Sequence, residues 1–177
     1  MTISLAIDTA TSRTIVGIIQ GDKVLFEAFH EGATEHGFAI TELVTKALEI
    51  CHKPDQVVVG MGPGPFTGLR VGITFAHSFA LAREIPVIGV CSLDAIDIQE
   101  SEYTVAIDAR RKEIYWAKYK DSLRISGPVV SKPAEVDNFI IDQYPDLKKL
   151  VALSASQNIT EPMYLRRPDA VPTAERT

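Results

Sequence analysis

The 177-residue chain is 46% apolar and 23% charged with a net charge of −5, the balance of a folded globular protein rather than a disordered or membrane-embedded one. Its length suits one ordinary domain or two small ones and buries about 70% of the unfolded surface, so no disulfide staple is needed. The acidic balance excludes a free-standing nucleic-acid binder with a basic face, so any contact with RNA has to be shared with a partner.

The start, "MTISLAIDTA", has no basic segment and meets Asp8 after a short apolar run, so it does not read as a signal peptide. No stretch of about 18 apolar residues is available to span a bilayer, and a cytoplasmic location without membrane contact is expected. Cys51 and Cys91 are too few and too far apart for a zinc or redox motif and read as reduced thiols.

In chain order, "SLAIDT", "RTIVGIIQ" and "KVLFEAF" predict three strands, with Gly21-Asp22 as the hairpin turn between the second and third. A helix follows, capped by Thr34, in which Phe38, Leu43, Val44, Ala47, Leu48 and Cys51 recur near helical spacing until Pro54. "QVVVGMG" is apolar on both faces and predicts a central strand. A Gly/Pro-rich loop, a helix from about Thr67 to Arg83 and a strand "PVIGV" complete the first unit.

An echo of that unit begins at residue 105, where "VAIDARRKEIYWAKY" matches "LAIDTATSRTIVGII" at Ala-Ile-Asp with an offset of 100 residues. "LRISGPVVS" predicts a third strand, "AEVDNFIIDQY" a helix and "KLVAL" a short strand. The chain therefore reads as an α/β fold of two tandem β-β-β-α-β-α units with the second truncated. The boundary is placed near residue 100, giving an N-terminal subdomain of residues 1–100 and a shortened C-terminal subdomain of residues 101–177.

The loop "GMGPGPFTGLRVG" tests poorly as a phosphate grip. Gly68 is followed by Leu69-Arg70 rather than the Lys-Ser/Thr of a P-loop. Pro65 stands where a dinucleotide fingerprint needs its third glycine, and Pro63 and Pro65 each remove an N–H donor. A rigid strand-to-helix turn is the better reading, with Thr67 as the helix cap. Behind it, Gly68, Gly72, Ala76 and Ala80 recur every four residues and form a ridge of small side chains against which another helix can lie closely. Leu69 and Ile73 make a second apolar row, and Phe75, Phe79 and Ala82 a third. Two explanations stay open: a second protein covers one face, or the chain covers both faces itself.

"LAIDTATS", "GPGPFTGLRVGITFAHSFALA", "VIGVCSLDAI", "VAIDARRKEIYWA" and "EPMYLRRPDA" together resemble the bacterial TsaB (YeaZ) family over nearly the whole chain. The resemblance implies the actin-like, sugar-kinase-like (ASKHA) ATPase superfold. It also implies a non-catalytic role in making threonylcarbamoyladenosine beside the anticodon of tRNA, as a partner of the transferase paralogue TsaD, with TsaE as the ATPase of the complex. A homodimer is expected to compete with the TsaD heterodimer, tRNA is met only through the complex, and ATP or ADP is left as a ligand at a shared interface. The expected partner surface takes His36, Ala39 and Leu43 from the first long helix. It takes Phe66, Thr67, Gly68, Leu69, Gly72, Phe75, Ala76, Phe79 and Ala80 from the second. The chain departs from the family pattern at Pro65, where a serine is usual, and in its shorter second unit.

The family's old glycoprotease label finds no chemistry here. Metal-bearing relatives such as TsaD carry N-H-x-x-x-H after the strand ending in Gly-Val, whereas "CSLDAI" puts Ser92 and Ile96 at those positions, and Ile96 cannot ligate. His30, His36, His52 and His77 lack ligand spacing, with His36 and His77 expected at the surface or an interface. No G-x-S-x-G elbow surrounds Ser12, Ser92 or Ser154. The competing reading is an independent actin-like ATPase, with Asp8, Thr9, Thr11 and Ser12 as weak phosphate-loop candidates. The second-unit counterpart, "DARRK" after Asp108, lacks the glycine and hydroxyls such a loop needs.

Overall fold

In a computed structural model that describes residues 1–166, strand β1 (Ile3–Asp8) is buried from Ser4 onward and forms the middle of the first sheet. β2 (Arg13–Gln20) pairs with it antiparallel, and β3 (Lys23–Glu31) turns back from β2 through Gly21, whose φ of 60° suits the tight hairpin. β4 (Gln56–Gly60) and β5 (Val87–Val90) add on the other side in parallel, giving the order β3-β2-β1-β4-β5. Parallel pairs need crossovers, and the helices α1 (His36–Ile50) and α2 (Phe66–Arg83) supply them.

Both helices cover one face of this sheet. Leu5, Ile7, Val16, Ile18, Val57 and Val59 point into a core shared with Ile40, Leu43, Val44 and Ala47 of α1 and Leu69, Ile73, Ala76 and Ala80 of α2. Alternation along the strands sends Ala6, Ile15, Ile19 and Val58 to the opposite face.

The second sheet contains β6 (Glu102–Arg110), β7 (Glu113–Lys120), β8 (Leu123–Ser131) and β9 (Phe139–Ile140), in the order β8-β7-β6-β9. Residues 133–153 differ from their sequence reading. "AEVDNFIIDQY" is not a helix but a 3₁₀ turn, Pro133–Glu135, followed by β9 parallel to β6. Asn138 and Asp142 adopt left-handed backbone (φ 50° and 61°) on either side of β9, which a helix cannot accommodate. "KLVAL" is not a strand but lies in the helix α3 (Leu147–Leu153), capped by the Asp146 carboxylate, which accepts from the Lys149 backbone N–H at 2.7 Å. The unit order β-β-β-α-β-α is thus kept, with its first helix reduced to the 3₁₀ turn.

α3 does more than close the second unit. Leu147 and Leu150 fill the far face of the first sheet against Ala6, Ile15, Ile19 and Val58, and Gly17 leaves the room: a Cβ there would come 2.8 Å from Leu147 Cδ1. The chain then runs back across the first unit, with the Ile159 N–H donating to the Gly89 carbonyl and the Met163 N–H to the Met61 carbonyl, both at 2.8 Å. Neither expected helix cap forms. α1 starts after Glu35 and α2 after Pro65, without a side-chain hydrogen bond from Thr34 or Thr67. Arg167, Pro168, Asp169 and Ala170 of the motif "EPMYLRRPDA" lie outside the described residues.

Candidate functional site

The ends of β1, β4 and β5 meet at the Gly/Pro-rich loop. Asp8, the last residue of β1, is fully buried there, with Oδ2 accepting from Ser92 Oγ at 2.6 Å and Oδ1 from the Ala10 N–H at 2.8 Å. Ser92 Oγ in turn accepts from the Gly62 N–H at 3.2 Å. Burial disfavours the carboxylate and outweighs both hydrogen bonds, so the Asp8 pKa rises to about 6.

The loop's glycines make this contact possible. A Cβ on Gly60 would overlap the Asp8 carboxylate, and one on Gly64 would come 2.5 Å from the Ala10 carbonyl oxygen. One turn further on, Thr9 Oγ1 donates to the Gly68 carbonyl at 2.8 Å, and a Cβ on Gly72 would overlap that same hydroxyl. "GMGPGPFTGLRVG" is therefore a packing surface for residues 8–10, and its glycines face protein rather than an anion.

This geometry corrects the phosphate-loop candidates. Asp8 and Thr9 are buried and committed to Ser92, Ala10 and Gly68, so neither is presented to a ligand. Thr11 and Ser12 do line a cavity of about 270 Å³, together with Pro65, Asp108, Arg110, Asp142 and Tyr144. Its carboxylates, Asp108 and Asp142, oppose phosphate binding, and Arg110 Nη1 already lies 3.4 Å from Asp108 Oδ2.

The expected partner surface also divides. His36, Ala39 and Leu43 of α1 and Gly68, Leu69, Gly72, Ala76 and Ala80 of α2 are buried within this chain, so the small-residue ridge belongs to its own core. The occupant of its first turns is the Thr9 segment. His36 is no surface residue: its Nδ1 lies 2.8 Å from Thr14 Oγ1, and burial, with the nearby charges of Arg110 and His30, lowers its pKa. Phe66 and Thr67 are exposed, Phe75 and Phe79 half-buried and stacked with centroids 6.1 Å apart.

What the outer side of the two helices presents instead is a groove of about 460 Å³ between them, lined by Ile40 and Thr41 of α1 and Arg70, Val71, Thr74 and Phe75 of α2. Phe38, 71% exposed, lines a second hollow on the outer arc of α1, which shares Gly37 and Thr41 with the groove. Its helical spacing had placed it with the apolar stripe, yet Thr41, Glu42, Thr45 and Lys46 follow at three, four, seven and eight positions and are all exposed. A single aromatic set on a polar arc is the sequence signal for this surface.

Below the loop, a second polar group joins the two sheets. Asp94 Oδ1 accepts from Tyr119 Oη and its Oδ2 from Gln157 Nε2, each at 2.8 Å, while Gln157 Oε1 accepts from the Cys91 N–H at 3.0 Å. Burial pushes the Tyr119 hydroxyl far up and, with the Asp94 charge, the Cys91 thiol up to about 12, so both stay protonated and chemically quiet.

Residues 30–170 match the family model described as TsaD, tRNA N6-adenosine threonylcarbamoyltransferase. An uncharacterized protein of Mycobacterium tuberculosis is 41% identical over 96% of this chain and 94% of its own length. The tRNA threonylcarbamoyladenosine biosynthesis protein TsaB of Escherichia coli is 35% identical over 66% of this chain. The chain belongs to the family of that model.

It spans 54% of the length of Escherichia coli TsaB and 57% of that of a Mycobacterium leprae relative, which is 40% identical over 97% of this chain. A Pseudomonas aeruginosa structure described as similar to peptidase YeaZ superposes with a TM-score of 0.79 over 94% of this chain and all of its own, at 21% identity. The chain thus shares the α/β fold of that structure. At the positions where TsaD-type relatives were expected to hold metal, Ser92 is engaged by Asp8 and Ile96 is a buried hydrocarbon. Among the described residues, no three His, Cys, Asp or Glu side chains converge as a metal site. No helix among them is long and apolar enough to cross a membrane.

Proposed function

We propose that this chain is a non-catalytic subunit of the complex that installs threonylcarbamoyl on the adenosine next to the anticodon of tRNA, acting by dimerising with a TsaD paralogue. Family membership supplies the context, and one observation carries the contact: the exposed Phe38 on the arc of α1 that adjoins, through Gly37 and Thr41, the apolar groove between α1 and α2. A large exposed aromatic near an apolar groove is an arrangement that anchors protein interfaces.

On this reading, residues 1–100 form the subdomain that carries the partner helices and residues 101–177 a shortened second subdomain. The docking face consists of the outer residues of α1 and α2, in place of the buried ridge. A second copy of the chain would use the same face, so homodimer and heterodimer compete. A TsaE-family ATPase joins the complex, and any ATP or ADP binds between subunits, since Asp8 and Thr9 are already engaged within this chain. The work is cytoplasmic, where tRNA is modified.

The test is co-purification with the organism's TsaD, followed by mass spectrometry of the modified nucleoside in a strain depleted of this chain. Co-elution and a fall in threonylcarbamoyladenosine are expected. Normal nucleoside levels after depletion would remove the reading.

A further inference from the structure

Over its 18 residues α2 carries the basic side chains Arg70, His77 and Arg83 and no Asp or Glu. Arg70, Thr74, His77 and Leu81 follow at offsets of four, seven and eleven, so they share one outward row of the helix, and all four are exposed. Arg70 also lines the groove between α1 and α2, beside the apolar side chains of Ile40, Val71 and Phe75.

This arginine is held in place. Its guanidinium carbon lies 4.2 Å from the centroid of the Phe66 ring. Tyr164 supports that ring in turn, with centroids 4.8 Å apart, and the preceding residue is tied down by the Met163 N–H donating to the Met61 carbonyl at 2.8 Å. Among the described residues the Phe66 ring is the partner of Arg70, and no carboxylate pairs with it. Stacking occupies the flat face of a guanidinium and leaves its in-plane N–H donors to be used. An arginine fixed in this way loses little side-chain freedom on binding, and its planar fork matches a carboxylate.

The charges also choose the occupant. A second copy packed α2 against α2 by two-fold symmetry sets one basic row against another. Its α1 offers Glu42, already held by its own Lys46 at 2.7 Å, and Glu49, which is not part of the groove lining. A different chain that brings its own acid meets no such conflict.

We propose that Arg70 is the specificity residue of the partner face: it pairs with an Asp or Glu on a helix of the TsaD partner, whose apolar side chain enters the groove alongside. The proposal rests on the TsaD-partner reading above and adds the chemistry of the partner to it.

The experiment is calorimetric titration of purified TsaD with the full chain, at about 50 mM and about 500 mM salt. Arg70→Gln removes the charge from an exposed position and is expected to keep the wild-type melting temperature. Its affinity for TsaD falls about thirtyfold at low salt, and the gap to wild type narrows at high salt, as for a lost ion pair. Arg70→Lys, which keeps the charge without the planar fork, falls between the two. A folded Arg70→Gln that binds TsaD as wild type does would overturn the proposal, and so would a loss equal at both salt concentrations, which would reduce Arg70 to its ring contact. Weakened self-association with unchanged TsaD affinity would give the residue to a second copy and overturn it as well. Phe38→Glu separates the two levels: if it weakens TsaD binding where Arg70→Gln does not, the parent reading stands and this one fails. Wild-type chain that does not bind TsaD at all would remove the parent reading itself.

Discussion

Asp8 and Ser92 are separated by 84 positions in the sequence and joined by a 2.6 Å hydrogen bond in the interior. The bond ties the end of β1 to the segment after β5, and Gly60 between them has no side chain because there is no space for one.

A pH dependence follows from this carboxyl. Its pKa is about 6 in the folded chain against 3.8 for the unconstrained group. The folded state therefore holds the proton more tightly, and the stability Asp8 contributes is complete below about pH 4 and lost as pH rises to about 6. A shift of this size corresponds to about 3 kcal/mol. Asp8→Asn, which has no charge to bury, is expected to gain on wild type by up to about 3 kcal/mol between pH 4 and pH 7. Urea titrations of both proteins at the two pH values check it, and a constant difference would place the Asp8 titration elsewhere.

Gly72 lies against the Thr9 hydroxyl, so bulk there is a folding defect before it is a binding one. Gly72→Leu and Ala76→Trp are each expected to lower stability by about 1–3 kcal/mol or more, the range of overpacking. Chemical denaturation reads this directly. If either variant kept wild-type stability, the ridge would have to face outward after all.

Phe38 behaves in the opposite way. At 71% exposure it contributes little to the fold, so Phe38→Glu is expected to change stability by no more than about 0.5 kcal/mol. Affinity for TsaD falls about thirty-fold, the effect of losing about 2 kcal/mol at an anchor residue. Titration calorimetry on the purified subunits measures the second quantity. Unchanged affinity would move the interface away from α1.

Arg13 connects the two units through its guanidinium, 4.3 Å from the Phe29 ring centroid and 3.5 Å from that of Tyr144, with Glu31 as ion-pair partner. Arg13→Lys keeps the charge and loses the flat stacking surface, at a cost of about 1 kcal/mol. In a double-mutant cycle with Tyr144→Ala, a coupling of at least about 0.5 kcal/mol is expected in denaturation free energies. Strict additivity would mean that the contact does not hold the units together.

The elements of the first unit were legible because each carries its own periodicity. "SLAIDT", "RTIVGIIQ" and "QVVVG" are strands wherever a sheet is available, and the apolar recurrence from His36 to Ile50 is helical in any surroundings. The Ala-Ile-Asp echo disclosed the tandem plan for the same reason, as a property of the chain read along its length. "KLVAL" carries too few residues to distinguish the two periods, and the neighbouring sheet face decided for a helix by accepting Leu147 and Leu150 on one side. The four-residue spacing of Gly68, Gly72, Ala76 and Ala80 likewise determined that something approaches closely, without naming it. Only the tertiary structure supplied Thr9, 59 positions before Gly68, as the occupant, and so placed the ridge in the chain's own core. Periodicity is a property of neighbours in sequence, whereas the choice of which face is covered belongs to residues that meet only after the sheet has formed.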